Sequence, residues 1–335
     1  MTGRQFEGPR VRGPVGYQRD VRMADAFVFP GQGSQAVGMG RDLASAFPCA
    51  REVFEEVDEA LGQSLSRLMF EGPEAELTLT ENAQPALMAM SLAVVRVLEK
   101  EGKLAIADRA RFVAGHSLGE YSALAAAGSI PLAETARLLR TRGQAMQKAV
   151  PVGEGAMAAL VGVDLAQAEA IAKEAAQGEV CEAANDNAPD QVVISGARAA
   201  IERAIGIAKE RGVKRAILLP VSAPFHSSLM APAARVMEEA LGKAAVMTPN
   251  VPLIANVTAA PATEPNEIRR LLVAQVTGRV RWRESVLAMK EAGVTRFVEL
   301  GAGKVLAGLA KRIDRDLAAV SVGSPADLDA FLKTI

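Results

Sequence analysis

Three residues in this chain have the types and spacing for acyl chemistry. Gly115-His116-Ser117-Leu118-Gly119 fits G-x-S-x-G, in which the glycines let a strand turn sharply into a helix and leave the serine exposed at the bend. A serine hydroxyl is a weak nucleophile until a base takes its proton. The chain holds two histidines, His116 and His226. His116 adjoins the serine, and neighbouring side chains in a sharp turn point apart, so His226 is the better base. It lies in Ser222-Ala223-Pro224-Phe225-His226-Ser227-Ser228, directly after a strand-like run, a loop position of the kind that carries function on a rigid scaffold.

Arg142 is the third. At helical spacing, Leu132, Ala136, Leu138, Leu139, Gly143 and Met146 make one apolar arc that contains Arg142, whereas Glu134, Arg137, Arg140 and Lys148 fall outside it. A cation aimed at the interior needs a partner. Periodicity leaves open whether that partner is a protein carboxylate or a substrate carboxylate gripped bidentately.

Two glycine loops invite cofactor readings. Gly31, Gly33 and Ala36 satisfy G-x-G-x-x-A after a strand, with Glu52 or Glu55 as the later acid of a dinucleotide fingerprint. The loop Phe29-Pro30-Gly31-Gln32-Gly33-Ser34-Gln35 also suits a rigid turn that offers a backbone N–H to an oxyanion, and this reading is preferred. Gly301-Ala302-Gly303-Lys304 is not a phosphate loop, because Val298 replaces the first glycine and Val305 the Ser or Thr that would hold magnesium.

These residues need a scaffold. Apolar runs at Ala26–Phe29 and Arg111–Ala114 read as strands, and periodic segments at 50–61, 84–99 and Leu132–Lys148 as helices, with Pro85 in a first turn. A helix from Gly119 ends at Gly128, so strand, turn and helix surround Ser117 in the order the elbow requires. From 150 to 221 the order is strand (Ala156–Val161), helix (Leu165–Ala176), strand (Val180–Asn185), strand (Gln191–Ser195), helix (Ala199–Arg211) and strand (Arg215–Val221), a ferredoxin-like βαββαβ unit. Strands near Pro252–Asn256 and Arg296–Leu300 and helices near 264–276, 283–292 and 303–312 return to the first pattern. The expected fold class is α/β, with a large α/β-hydrolase-like domain over 23–149 and 222–335 and an inserted small domain at 150–221. Residues 1–22, with five arginines and no apolar core, read as a disordered extension rather than a secretory signal.

Bulk composition narrows the function classes. Thirty-eight basic residues against 39 acidic ones give no field of one sign, and aromatics at 4% offer no stacking platform, so nucleic acid is not an expected partner. No run approaches a membrane span; Ala86–Leu98 is interrupted by Ser91 and Arg96. Cys49 and Cys181 lack metal-ligand companions and fit a reducing cytoplasm.

Taken jointly, F-V-F-P-G-Q-G-S-Q near the start, G-H-S-L-G-E at the elbow, an arginine 25 residues after the serine and a histidine 109 after it resemble the malonyl-CoA:acyl carrier protein transacylase family from about Ala26 onward. That resemblance implies a ping-pong transfer of malonyl from coenzyme A to Ser117, then to the phosphopantetheine thiol of acyl carrier protein, for fatty acid biosynthesis and with no cofactor. It makes His226 base and then acid, the backbone N–H groups of Gln32 and Leu118 the oxyanion hole, and Arg142 the partner of the malonyl carboxylate. Gln84 and Gln275 match positions that line the family's site, though each reads equally well as a surface or capping amide. The family's histidine is oriented by a main-chain carbonyl, and no third acid stands out, since Asp164, Asp186 and Asp190 fall in the inserted unit. Ala223-Pro224-Phe225-His226 is close to the family's malonyl-selecting sequence. Lys214, Arg215, Arg279, Arg281 and Arg283 are candidates for docking an acidic carrier protein or, equally, a solvated charged face.

Two other readings compete. A serine hydrolase would share Ser117 and His226 but have no use for an inward arginine; with an acetyl group the guanidinium is expected to stand unpaired. A docking module without chemistry would not need the nucleophile, base and loop together.

Overall fold

The apolar run that opens the folded chain forms β1 (Asp25–Phe29), buried at every residue, as a strand covered on both faces must be. The computed structural model describes residues 25–221 and 223–334, so the extension read at 1–22, and Ser222, lie outside it. Strands are numbered along the chain. β1 sits inside a six-stranded sheet with β2 (Ala110–Gly115), β7 (Leu253–Ile254), β8 (Pro261–Ala262), β9 (Arg296–Leu300) and β10 (Ala318–Val322), in the order β10-β9-β1-β2-β7-β8. All pairings are parallel except that of β7 with the short β8. The buried Asp25 is satisfied by its registered neighbour Arg296, whose Nε and Nη2 reach the carboxylate at 2.8 and 2.7 Å.

A second, antiparallel sheet comprises β3 (Gly155–Val161), β4 (Cys181–Ala188), β5 (Gln191–Ala197) and β6 (Arg215–Leu218), in the order β4-β5-β3-β6. Helices Leu165–Ala176 and Arg198–Glu210 complete a βαββαβ order and pack on the sheet through Ala168, Ile171, Ala172, Ala200, Ile201 and Ala204. This cluster is separate from the two that cover the faces of the parallel sheet.

Several elements differ from expectation. Helix Thr80–Lys100 begins a turn before Pro85, so Pro85 lies inside it rather than in its first turn. β4 continues past its expected end at Asn185 through Asp186, Asn187 and Ala188, because tertiary partners satisfy its polar groups. Asp186 N–H donates to Val280 O at 3.0 Å, Val280 N–H donates to Ala184 O at 2.9 Å, and Arg283 pairs with the buried Asp186 at 2.8 Å. β6 and β7 are shorter than expected. The edge strand β10 and the helices Ala231–Lys243 and Pro325–Leu332 were not anticipated. The first of these helices buries only Ala233, Met237 and Leu241, a stripe too narrow to stand out. No helix of the described residues is long and apolar enough to cross a membrane.

Candidate active site

Ser117 stands at the turn from β2 into helix Gly119–Ala126, in the left-handed region at φ +53°. For a residue with a side chain that conformation costs roughly 1–3 kcal/mol, so the surroundings must hold it. Asn256, buried in the turn just beyond β7, does so from both sides: its Oδ1 accepts from Ser117 N–H at 2.8 Å, and its Nδ2 donates to Gly115 O at 2.7 Å. The glycines are steric requirements. A Cβ on Gly115 would lie 1.9 Å from the Gly119 carbonyl carbon, and one on Gly119 would lie 2.2 Å from Phe29 O.

His226 meets the serine. Its Nε2 is 2.7 Å from Ser117 Oγ. Its Nδ1 lies 2.9 Å from Gln275 O and 3.1 Å from Gly278 O, so it carries the proton and donates it to backbone carbonyls. This tautomer leaves Nε2 free to accept from the hydroxyl. Burial, helped by the nearby Arg142 charge, pushes the imidazole pKa down to about 3, so the ring is neutral, the form a base needs. His116 points elsewhere, with its Nε2 2.8 Å from Asn187 Oδ1 on β4.

Arg142 is 1% exposed and aimed inward, as its place in the apolar arc requires. Gly143 permits this, since a Cβ there would lie 2.5 Å from the Glu81 backbone; helix Leu132–Ala149 thus comes close enough to helix Thr80–Lys100 for Arg142 to reach Gln84. Nη1 donates to Gln84 Oε1 at 2.7 Å, and Nη2 donates to Gln275 Oε1 at 2.8 Å and to Ser117 Oγ at 3.1 Å. Its Nε has no partner among the described residues. Gln84 and Gln275 are therefore buried ligands of the guanidinium, not surface or capping amides. The guanidinium is also not left unpaired without a carboxylate, since two amide oxygens hold it.

The loop after β1 closes the site. Gln32 Oε1 accepts from Thr80 Oγ1 at 2.9 Å, and Thr80 Oγ1 accepts from Gln84 Nε2 at 3.0 Å, tying the loop to the arginine cradle. A Cβ on Gly31 would lie 2.7 Å from His116 O, so the loop rests directly on the elbow. Among N–H groups 117–121, those of Ser117, Gly119, Glu120 and Tyr121 have acceptors. Neither Leu118 N–H nor Gln32 N–H has one among the described residues. A cleft of about 480 Å³ adjoins His226, lined by Lys173, Cys181, Glu182, Thr277 and Arg279 among others.

Glu120 was missed because it reads as an ordinary charge in a first helical turn. It is fully buried, and burial pushes its pKa up to about 7. Of the basic docking candidates, Arg279, Arg281 and Arg283 are engaged with Glu169, Glu284 and Asp186, while Lys214 and Arg215 are exposed.

The cofactor loops do not assemble. No helix opens at the fingerprint after β1; the next begins at Arg41. At Gly301–Lys304 the helix N-terminus that a phosphate would occupy is capped by the protein's own Glu299, which accepts from Leu306 and Ala307 N–H at 3.1 and 2.9 Å. Among the described residues no group of three or more His, Cys, Asp and Glu is placed to hold a metal ion.

Comparison with known proteins agrees with this geometry. The acyl transferase domain family matches residues 26–323. A malonyl CoA-acyl carrier protein transacylase of Bacillus subtilis is 45% identical over 311 residues, covering 92% of this chain and 96% of its own. The crystal structure of an acyl-carrier-protein-S-malonyltransferase from Bartonella henselae superposes with a TM-score of 0.91 at 55% identity, covering 93% of this chain and 99% of that one. A type II PKS acyl-carrier protein in complex with its malonyl-transacylase gives 0.90 at 43% identity, covering 93% and 100%. Because these matches span nearly all of the folded chain, it belongs to the acyl transferase domain family.

Proposed function

We propose that the protein transfers malonyl from malonyl-CoA to the phosphopantetheine thiol of acyl carrier protein through a malonyl-Ser117 intermediate. The observation that carries this reading is Ser117 Oγ held 2.7 Å from a neutral imidazole and 3.1 Å from a buried guanidinium. His226 takes the hydroxyl proton as Oγ attacks the thioester carbonyl, and returns it to the departing thiolate of coenzyme A. The carrier thiol then attacks the ester, and the same base and acid steps run again. Gln32 and Leu118 N–H stabilise the tetrahedral oxyanion, and their lack of acceptors among the described residues supports that role. Acylation of Oγ weakens its bond to Arg142 and releases an N–H toward the malonyl carboxylate, which can then be held together with Gln84 and Gln275.

The elbow between a parallel strand and a helix supports an α/β-hydrolase-like large domain over 23–149 and 222–335. The βαββαβ order and sheet order support a ferredoxin-like small domain at 150–221. The reading needs no cofactor beyond its two substrates, a thioester and a carrier-bound thiol, and is that of a cytoplasmic enzyme supplying fatty acid biosynthesis.

Initial rates with malonyl-CoA and holo acyl carrier protein test it. Parallel double-reciprocal lines, with label passing to the carrier protein, are expected. Intersecting lines, or release of free malonate in place of transfer, would overturn it.

A further inference from the structure

We propose that Glu120 is a positioning residue of the acyl-transfer site, holding Gln275 and Asn256 in the orientations that aim Arg142, His226 and Ser117; the proposal rests on the acyl-transfer reading above. Glu120 touches no reacting atom. Its Oε2 accepts from Gln275 Nε2 at 2.7 Å and from Asn256 N–H at 3.1 Å. These two amide residues make further fixed contacts in the site. Gln275 gives Oε1 to Arg142 Nη2 at 2.8 Å, Nε2 to Ser117 O at 2.9 Å and its backbone carbonyl to His226 Nδ1 at 2.9 Å. Asn256 clamps the strained Ser117 turn.

A side-chain amide has two faces of nearly equal shape, and only its neighbours decide which is turned where. If Gln275 flipped, its NH2 would point at the guanidinium, donor against donor, and Arg142 would lose an acceptor. Two acceptors on the Nε2 side oppose this, the Ser117 carbonyl and the shorter-bonded Glu120 carboxylate, which accepts and cannot donate while ionised. The acid is kept at a cost. Glu120 is fully buried, and its Oε1 has no partner among the described residues. An apolar residue in this interior would avoid that cost but leave Ser117 O as the one acceptor described on the Nε2 side of Gln275.

The experiment measures single-turnover acylation by labelled malonyl-CoA and acetyl-CoA in wild type, Glu120→Ala and Glu120→Gln, with folding checked by thermal melts. Loss of the Arg142 cradle should lower the malonyl-to-acetyl ratio of Glu120→Ala by about tenfold or more, the scale of one hydrogen bond to a charged group. Glu120→Gln, whose carbonyl can accept the same two N–H groups, should restore most of the ratio. A folded Glu120→Ala with the wild-type ratio would overturn the proposal, as would a Glu120→Gln that loses the ratio equally. If Glu120→Ala does not fold, Gln275→Leu replaces it, keeping the backbone carbonyl on His226 and deleting only the amide. The same loss of ratio is expected there, with none added by Glu120→Gln in that background, and a further loss would overturn the proposal. An unlabelled wild type would instead overturn the acyl-transfer reading itself, and this proposal with it.

Discussion

Replacing Arg142 by alanine removes a cation that is 1% exposed and touches Ser117 directly. A malonyl carboxylate brought to the same place would then be buried without a counter-charge. Breaking a buried pair by deleting one partner costs about 3–5 kcal/mol, which is roughly two to four orders of magnitude in kcat/KM at about 1.4 kcal/mol per tenfold. Acetyl-CoA presents no carboxylate, so it escapes that cost. The substitution also strips a partner from Gln84 and Gln275, but it lifts the positive charge that helps hold His226 down at about 3, making the base stronger. These effects oppose each other, so acetyl transfer should stay within about tenfold of wild type. The malonyl-to-acetyl ratio should therefore fall at least about a hundredfold. Rapid-quench measurement of acyl-enzyme formation from each thioester reads this directly. Equal losses for both substrates would refute the reasoning and make Arg142 a scaffold for the serine and histidine instead of the carboxylate's partner.

Three further outcomes follow from the same geometry. Because His226 is neutral down to about pH 3, kcat/KM for acylation by malonyl-CoA should show no His226 limb at the ordinary histidine value near 6.5; such a limb in a stopped-flow pH series, retained in Glu120→Gln, would contradict the buried, arginine-flanked imidazole. Asn256→Ala deletes both side-chain bonds that clamp the elbow and should lower stability by about 2–4 kcal/mol in denaturant melts while slowing acylation; a loss under 0.5 kcal/mol, of the size usual at indifferent surface sites, would show that the turn holds itself. Glu120 has a folded pKa raised from 4.5 to about 7, so its contribution to stability is full below 4.5 and is lost as pH rises through 7, amounting to roughly 3 kcal/mol. Glu120→Gln should accordingly gain stability relative to wild type between pH 5 and 8, and a constant difference across that range would contradict the burial of an ionisable acid.

The candidate nucleophile, base and carboxylate partner were legible in the sequence because each carries a local signal. Ser117 sits in a glycine pattern that only a sharp strand-to-helix turn demands, Arg142 breaks an apolar arc, and His226 is the sole base left after His116 is set aside. Their supports were not legible in the same way. Gln84, Gln275 and Asn256 are polar residues on elements that bury polar groups only because a specific partner meets each one, and those partners lie 58, 133 and 139 residues away. Glu120 hid for the same reason. The strand expected to stop at Asn185 runs on through Asp186 and Asn187, since their polar groups are met by Val280, Arg283 and His116 from distant parts of the chain. The strand and helix order around the elbow and through residues 155–218 could be read because apolar periodicity is a local property. The edge strand β10, Ala318–Val322, has two alanines and only one fully buried position, too faint a pattern to separate from a loop.

The most direct test of the account is where the acyl group rests. Wild-type protein mixed with malonyl-CoA alone, digested and mapped by mass spectrometry, should carry one malonyl group on the peptide containing Ser117, absent in Ser117→Ala and removed on adding holo acyl carrier protein. A malonyl group on another residue, or labelling of Ser117→Ala equal to wild type, would contradict it.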